Sequence, residues 1–358
     1  MTIFKVINKK PNGILRKPGT AMVLKIAVII CTKNRANDLD ITLESIFHQT
    51  LLPDSLLIVD DSSNDVTEKI MKKYLLLLQT DLVYLHPKSP NSGLPAARNF
   101  GIASVPGSTD IIIFLDDDVT LDPRYLESIR EPFLLSPKIS GAGGYITTGY
   151  HTRPWYEKLF LAPIGFFIPT LVPVSLFHFR ITKTGEALAP LFMQCTKKIG
   201  NVEWLSGCNM AYRISVFREG NIFDENFVRY AQGEDILFSH RLHKNGKKLL
   251  ITKESRLHHR VSPEERMPSL VQLIMVFGYR KYAIQKFSGK GAAGSLYYWW
   301  FVVNFFMSAF ILSLIQKNGL SYMKNTLMAY RIFKQFEKQI GMNDLKSFNA
   351  IFSNPRSE

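Results

Sequence analysis

Three aspartates in a row, Asp116-Asp117-Asp118, close the run IIIFLDDDV at 111–119. Carboxylates this close repel one another unless positive charge sits among them. A hard divalent cation, its shell completed by phosphate oxygens and water, supplies that charge. An acidic turn in which Asp118 caps the next element is the plainer alternative. Two other apolar runs also end in polar groups. MVLKIAVIIC (22–31) runs into Thr32-Lys33-Asn34-Arg35, and SLLIV (55–59) into Asp60-Asp61-Ser62-Ser63-Asn64-Asp65. Further along, Gly233-Glu234-Asp235 stands directly ahead of ILFSHRL. Both acids therefore fall at a helix N-terminus, where the dipole favours the carboxylate a general base needs, although capping is the simpler role for Asp235. Leu257-His258-His259-Arg260 follows the strand-like LLIT at 249–252. Adjacent side chains on extended backbone point opposite ways, so at most one of these histidines reaches a shared site, and a histidine packed beside the sheet is the plainer alternative.

The elements that must position these groups are legible from periodicity. None of the three apolar runs alternates, which fits strands of a parallel sheet buried on both faces. A helix is expected from about Asn37 to Gln49, with Asn37 or Asp38 as N-cap and Leu39, Leu43, Ile46 and Phe47 as its apolar stripe. A second is expected over about 66–78, then a short strand at 82–85. Right-handed crossovers bring the carboxyl ends of such strands to one edge, where ligands of open α/β sheets bind. Cys31–Arg35, Asp60–Asp65 and Asp116–Asp118 are thus expected to share one crevice. Between the second and third lies NSGLPAARNFG (91–101), a turn shaped by Gly93 and Pro95 and then a helix that aims Arg98 at the same crevice. A solvated surface arginine is the commoner fate, but a guanidinium fork suits phosphate oxygens. No G-x-G-x-x-G follows the first strand and no P-loop exists.

Taken in order and spacing, CTKNR, LDITLESIFHQT, IVDDSSND, NSGLPAARNFGI and FLDDDV resemble the family 2 glycosyltransferases, and VEWLSGCNMAYR (202–213) and FDENFVRYAQGEDILFSHRLHKNGKK (223–248) extend the match. The resemblance runs from about Lys25 to Arg260. It implies a GT-A type α/β fold, Rossmann-like, with a mixed, mostly parallel sheet flanked by helices, and inverting transfer from a nucleotide-diphosphate sugar. By the same resemblance, Cys31, Thr32, Asn34 and Arg35 line the base pocket, and Asp61 with Asp60 accepts from the nucleobase. Arg98 faces the diphosphate, Asp116 and Asp117 support the ribose and the shell, and Asp118 with His259 holds Mg²⁺ or Mn²⁺. Asp235 becomes the base, while Trp204, Gly207, Asn209 and Glu234 belong to the acceptor side.

Composition bounds the setting. The 358 residues carry 44 Lys and Arg against 30 Asp and Glu, a formal charge of +14 that points to polyanionic partners. Much of the excess lies at the two ends beside apolar segments, which suits an anionic membrane surface better than nucleic acid. Three scattered cysteines, Cys31, Cys195 and Cys208, are no disulfide framework and fit a reducing compartment. Residues 1–20 are basic, broken by Pro and Gly and followed by no apolar h-region, so an extension rather than a signal peptide is expected. LFLAPIGFFIPTLVPVSLFHF (159–179) carries three prolines against a spanning helix and reads as an interfacial loop or acceptor groove.

After a catalytic domain at 21–260, the region 261–358 is expected to be helical and membrane-associated. Its segment 292–315 is uncharged, long enough to cross a bilayer, and aromatic at its start. Lysines on both flanks favour a monotopic or peripheral placement on the cytoplasmic face, with a single span as the second choice. The expected acceptor is a lipid-linked or membrane-proximal glycan, in surface polysaccharide assembly. Two competing readings are a nucleotidyltransferase, disfavoured because CTKNRAND lacks a glycine-rich loop, and a non-catalytic sugar- or nucleotide-binding protein.

Overall fold

The computed structural model describes residues 3–6, 23–62, 64–75, 80–87, 93–148, 174–175, 179–190, 198–228, 232–262, 269–288, 291–315, 319–340, 345–350 and 352, and the structural statements below concern these. The apolar stretch 159–179 falls outside them except for 174–175 and Phe179, as do residues 7–20, Asn91 and Ser92. In chain order the elements begin β1 (Ile3–Val6), β2 (Ile26–Thr32), α1 (Ala36–Phe47), β3 (Ser55–Asp60), α2 (Val66–Leu75), β4 (Asp81–Leu85), α3 (Leu94–Ser104), β5 (Ile111–Asp116), β6 (Val119–Leu121), α4 (Tyr125–Leu135) and β7 (Ile139–Ile146). They continue β8 (Val174–Ser175), β9 (Arg180–Ile181), β10 (Ala187–Pro190), β11 (Lys198–Gly200), β12 (Asn209–Arg213), α5 (Ile214–Arg218), α6 (Glu234–Lys244), β13 (Lys248–His259), α7 (Ser269–Ser288), α8 (Ala292–Ile315), α9 (Gly319–Phe336) and α10 (Lys346–Ala350).

The main sheet runs β1-β4-β3-β2-β5-β12-β7-β13-β11, with β6 pairing β13 off that path. β4, β3, β2 and β5 are mutually parallel, as the crossovers require. β12 then enters antiparallel between β5 and β7. The non-alternating runs are buried on both faces. Ile26, Val28 and Ile30 of β2 and Ile111, Ile113 and Leu115 of β5 join one core, while Ala27 and Ile29, and Ile112 and Phe114, join the core on the other side.

Three elements differ from expectation. The basic N-terminal extension includes a strand: β1 pairs antiparallel with β4 at the sheet edge. The strand expected from 111 is β5 and ends at the aspartates, but after a turn the chain restarts as β6, an element not expected. The expected short strand at 249–252 is the 12-residue β13, which is parallel to β7 along its length and antiparallel to β6 at its end.

α7, α8 and α9 pack on one another around a third core that also takes Phe227 and Leu237. His240 of α6 stands at this junction, edge-on to the Phe287 ring at 4.8 Å. It is buried, its Nδ1 has no hydrogen-bond partner, and burial pushes its pKa down from 6.5 to about 4. The folded protein therefore holds it neutral while the unfolded chain binds a proton below pH 6.5. Its contribution is complete above pH 6.5 and is lost as pH falls toward 4. About 1–2 kcal/mol of stability should disappear between pH 7.5 and 5 through this residue. Denaturant titrations at the two pH values, compared with His240→Phe, check it: the variant should lose that much less.

Candidate active site

The crevice is made where strands end. Cys31 pairs in register with Asp116 and Thr32 with Asp60, so the polar tails of β2, β3 and β5 emerge side by side. The first two loops are stitched together: the Asn34 N–H donates to Ser62 Oγ at 2.7 Å and the Asp61 N–H to the Thr32 carbonyl at 2.9 Å. Asn34 takes a left-handed backbone, φ 53°, which asparagine tolerates better than most residues. Asp61 is half-buried at the crevice wall, with Lys33 Nζ 3.9 Å from its carboxylate. Cys31 is half-buried, and burial among acids pushes its thiol up to about 12. Asp60 does a different job from its neighbour. It is completely buried, accepting from the Ser62 N–H at 2.9 Å and the Tyr84 hydroxyl at 2.6 Å, and so holds the loop rather than facing a ligand.

The aspartate triplet divides in the same way. Asp117 is buried, accepting from Thr32 Oγ1 at 2.8 Å and Arg35 Nη1 at 3.3 Å. Burial outweighs these partners and pushes its carboxyl up to about 7. Asp118 sits in the turn immediately before β6, whose pairing sets Val119 against His259. That register places His259 Nε2 3.0 Å from Asp118 Oδ1, while the Ser262 N–H donates to Oδ2 at 2.9 Å. Burial alone would raise Asp118, but the His259 bond and charge, the Ser262 amide and Arg35 hold it at about 2. For His259, burial works against the charged form, yet Asp118, Cys208 and Asp116 push it up to about 11. His258 points the other way, 3.4 Å from Thr147 Oγ1.

Asp116, Asp118 and His259 each offer a ligand atom, all within 4.8 Å of one another. Two carboxylates and an imidazole, gathered on one side of a crevice, suit a Mg²⁺- or Mn²⁺-class cation with positions left for water and phosphate. Arg260 was not singled out in the sequence, although it directly follows the two histidines. Its guanidinium donates to the carbonyls of Val119 and Asp38, both at 2.8 Å, and its N–H to the Asp118 carbonyl at 2.9 Å. It therefore fixes the backbone on which Asp118 sits.

The opposite wall comes from β12 and α6. Antiparallel pairing sets Asn209 opposite Leu115, which brings Gly207 and Cys208 beside Asp116. Arg98, 3% exposed, lies at the centre of this wall. It is an internal bridge: Nη1 donates to Glu234 Oε1, and Nη2 to Asp116 Oδ1 at 3.4 Å and to the Gly207 carbonyl at 3.2 Å. Burial opposes its charge, but Glu234 and Asp116 more than offset that and hold it firmly protonated. Glu234 is buried and pushed up to about 8 by desolvation, against the pull of Arg98. Asp235 is half-buried, with Oδ2 accepting from the Gly207 N–H at 2.6 Å and Oδ1 from the Ile236 N–H at 2.9 Å. A Cβ at Gly207 would lie 2.9 Å from Arg98 Nη2 and 3.1 Å from Asp235 Oδ2, so the close approach needs glycine.

The other expected acceptor-side residues are placed less centrally. Asn209 is buried and belongs to the scaffold, accepting from the Tyr125 hydroxyl at 2.6 Å and the Gly144 N–H at 2.9 Å. Trp204 is half-buried, its indole N–H donating to the Leu188 carbonyl at 3.1 Å and its ring 5.2 Å from Phe179.

Residues 27–219, more than half of the chain, match the sequence profile of glycosyl transferase family 2. A glucosyl-dolichyl phosphate glucuronosyltransferase of Haloferax volcanii is 22% identical over 245 residues, covering 66% of this chain and 70% of that protein. A chondroitin synthase of Escherichia coli is 25% identical over 236 residues, covering 62% of this chain and 32% of that protein. Among solved structures, GalNAc-T7 with UDP, GalNAc and Mn²⁺ superposes with a TM-score of 0.53 at 17% identity, over 73% of this chain and 49% of that one. The mannosyltransferase PcManGT from Pyrobaculum calidifontis, with GDP-Man and Mn²⁺, superposes with a TM-score of 0.52 at 13% identity, over 94% and 88%. These likenesses are of fold, GT-A-like, and agree with the curled sheet and its flanking helices. The profile match, lying across the ends of β2, β3 and β5 that open the crevice, makes the chain a member of the family 2 glycosyltransferases and a transferase enzyme.

Proposed function

We propose that the crevice transfers a sugar, with inversion, from a nucleotide-diphosphate sugar to a lipid-linked or membrane-proximal glycan at the cytoplasmic face of a membrane. The observation that carries this reading is the Arg98 bridge, which ties Asp116 on the cation side to Glu234 and Gly207 beside Asp235. Relatives support the donor and acceptor classes: the two solved neighbours hold nucleotides with Mn²⁺, and the Haloferax relative acts on a dolichyl-phosphate glycolipid.

The Cys31–Arg35 and Asp61 loops bind the nucleoside, and Asp61, half-buried where Asp60 is sealed, is the carboxylate that meets the base. Asp116, Asp118 and His259 hold the cation, with Asp117 and Arg35 bracing them. Bound there, the cation supplies Lewis-acid neutralisation of charge on the departing diphosphate. Asp235 takes the proton from the acceptor hydroxyl as its oxygen bonds to the anomeric carbon and the carbon–phosphate-oxygen bond breaks. Backbone amides from Gly207 and Ile236 orient that carboxylate. Glu234 and Arg98 act behind it, fixing the start of α6 in place.

A thermal-shift screen of nucleotide sugars with and without Mn²⁺ tests this reading. At 100 times the dissociation constant a ligand adds about 2.7 kcal/mol of stability, a shift of several degrees. One nucleotide class should raise the melting temperature, and more so with the cation. Absence of any shift would contradict a nucleotide-diphosphate sugar as the donor.

A further inference from the structure

The C-terminal helices pose a separate question, because α8 is polarised the wrong way round for a soluble bundle. Its mid-helix polar residues face inward. Asn304 and Ser308 are both buried, and each donates to a carbonyl one turn back at 2.9 Å. Its outward stripe is apolar throughout: Leu296, Trp299, Trp300, Met307, Phe310 and Leu314 are all exposed and recur at helical spacing on one side. An uncovered apolar face of this size marks a contact with lipid or protein.

The neighbours of α8 decide how lipid would meet it. By length and composition this helix could cross a bilayer, being 24 residues and about 36 Å long. But α9 returns alongside it after only residues 316–318. Gly319, the first residue of α9, lies so close to the Leu312 carbonyl that a side chain there would collide with it, which holds the two helices tightly at the turn. α9 exposes Lys324, Arg331 and Lys334 along its length. If α8 stood upright in the membrane, α9 would carry those cations through the hydrocarbon. If α8 lies flat, its stripe sinks into the acyl region while the basic residues of α9 meet lipid phosphates.

We infer that the α8–α9 hairpin lies in the plane of one leaflet of an anionic bilayer, with the Leu296–Leu314 stripe of α8 inserted and the exposed cations of α9 on the headgroups. This concerns the membrane-proximal part of the proposed function, and it is read without donor or acceptor, so its failure leaves the transfer chemistry untouched. The test is flotation of the full chain with vesicles, followed by depth-dependent quenching by brominated phosphatidylcholines. Vesicles containing phosphatidylglycerol should bind at least about tenfold more protein than pure phosphatidylcholine. Two proteins then report depth: the wild type, through Trp299 and Trp300, and Phe310→Trp with Trp299→Phe and Trp300→Phe, against the double-Phe protein as blank. In-plane insertion predicts the same shallow depth at both ends. A Phe310→Trp signal about 15 Å deeper, the rise of ten helical residues, would show a span and overturn the inference. So would failure to float together with a dimer that Phe310→Ser and Leu314→Ser dissociate, since the stripe would then be covered by a second copy. Binding lost in that serine pair, with the melting temperature of wild type, supports it.

Discussion

Replacing Asp235 with asparagine is expected to lower the rate of sugar transfer by roughly 10²- to 10⁴-fold, the range of a single general base. The substitution keeps size and removes only the basic oxygen. Asparagine can still accept one of the two backbone bonds that Asp235 receives from Gly207 and Ile236, so the start of α6 should hold. The loss should therefore fall on kcat in single-turnover assays, while donor binding changes by no more than about twofold. Glu234 cannot substitute as base, because it is buried and its carboxylate is held by Arg98. An equal loss in donor affinity would instead make Asp235 a donor-binding residue.

Arg98→Ala should be the most destabilising single change in the site. It leaves Glu234 and Asp116 facing each other across a buried gap with no cation between them. Removing one partner of a buried ion pair costs about 3–5 kcal/mol. Arg98→Lys should recover only part of that, since one ammonium cannot reproduce the fork that reaches Glu234, Asp116 and the Gly207 carbonyl at once. Denaturant midpoints of the two variants check this order. A surface arginine, the alternative weighed from sequence, would lose under 1 kcal/mol.

Much of this site was legible in the sequence for a simple reason. Non-alternating apolar runs of strand length, rich in β-branched residues and ending in polar groups, fit a doubly covered parallel sheet, and the crossover rule then collects the ends. Strand parity allowed only one of His258 and His259 into the site without choosing between them, and the 3.0 Å contact to Asp118 falls to His259. What was hidden depended on partners distant in sequence. The sealing of Asp60 needs Tyr84, 24 residues on, and the capture of Arg98 needs Glu234, 136 residues away. His259 reaches Asp118 because β6 pairs with the end of β13, and the polar KESR at 253–256 hid that one strand runs unbroken from 248 to 259. The edge strand β1 was masked by the Pro and Gly that follow it. Asn209, read as acceptor-side, is consumed by Tyr125 and Gly144, both on elements that local pattern cannot link to it.

The central claim is that Asp116, Asp118 and His259 hold a divalent cation for a nucleotide-diphosphate donor. The most direct test repeats the thermal-shift titration, with the preferred nucleotide and with and without Mn²⁺, on Asp118→Ala beside wild type. The wild type should show a nucleotide shift that grows with the cation. The variant should remain folded, keep the cation-independent part of the shift through the Cys31–Arg35 and Asp61 loops, and lose the increment due to Mn²⁺. A variant that retains the full Mn²⁺-dependent increment would contradict this assignment of the cation site.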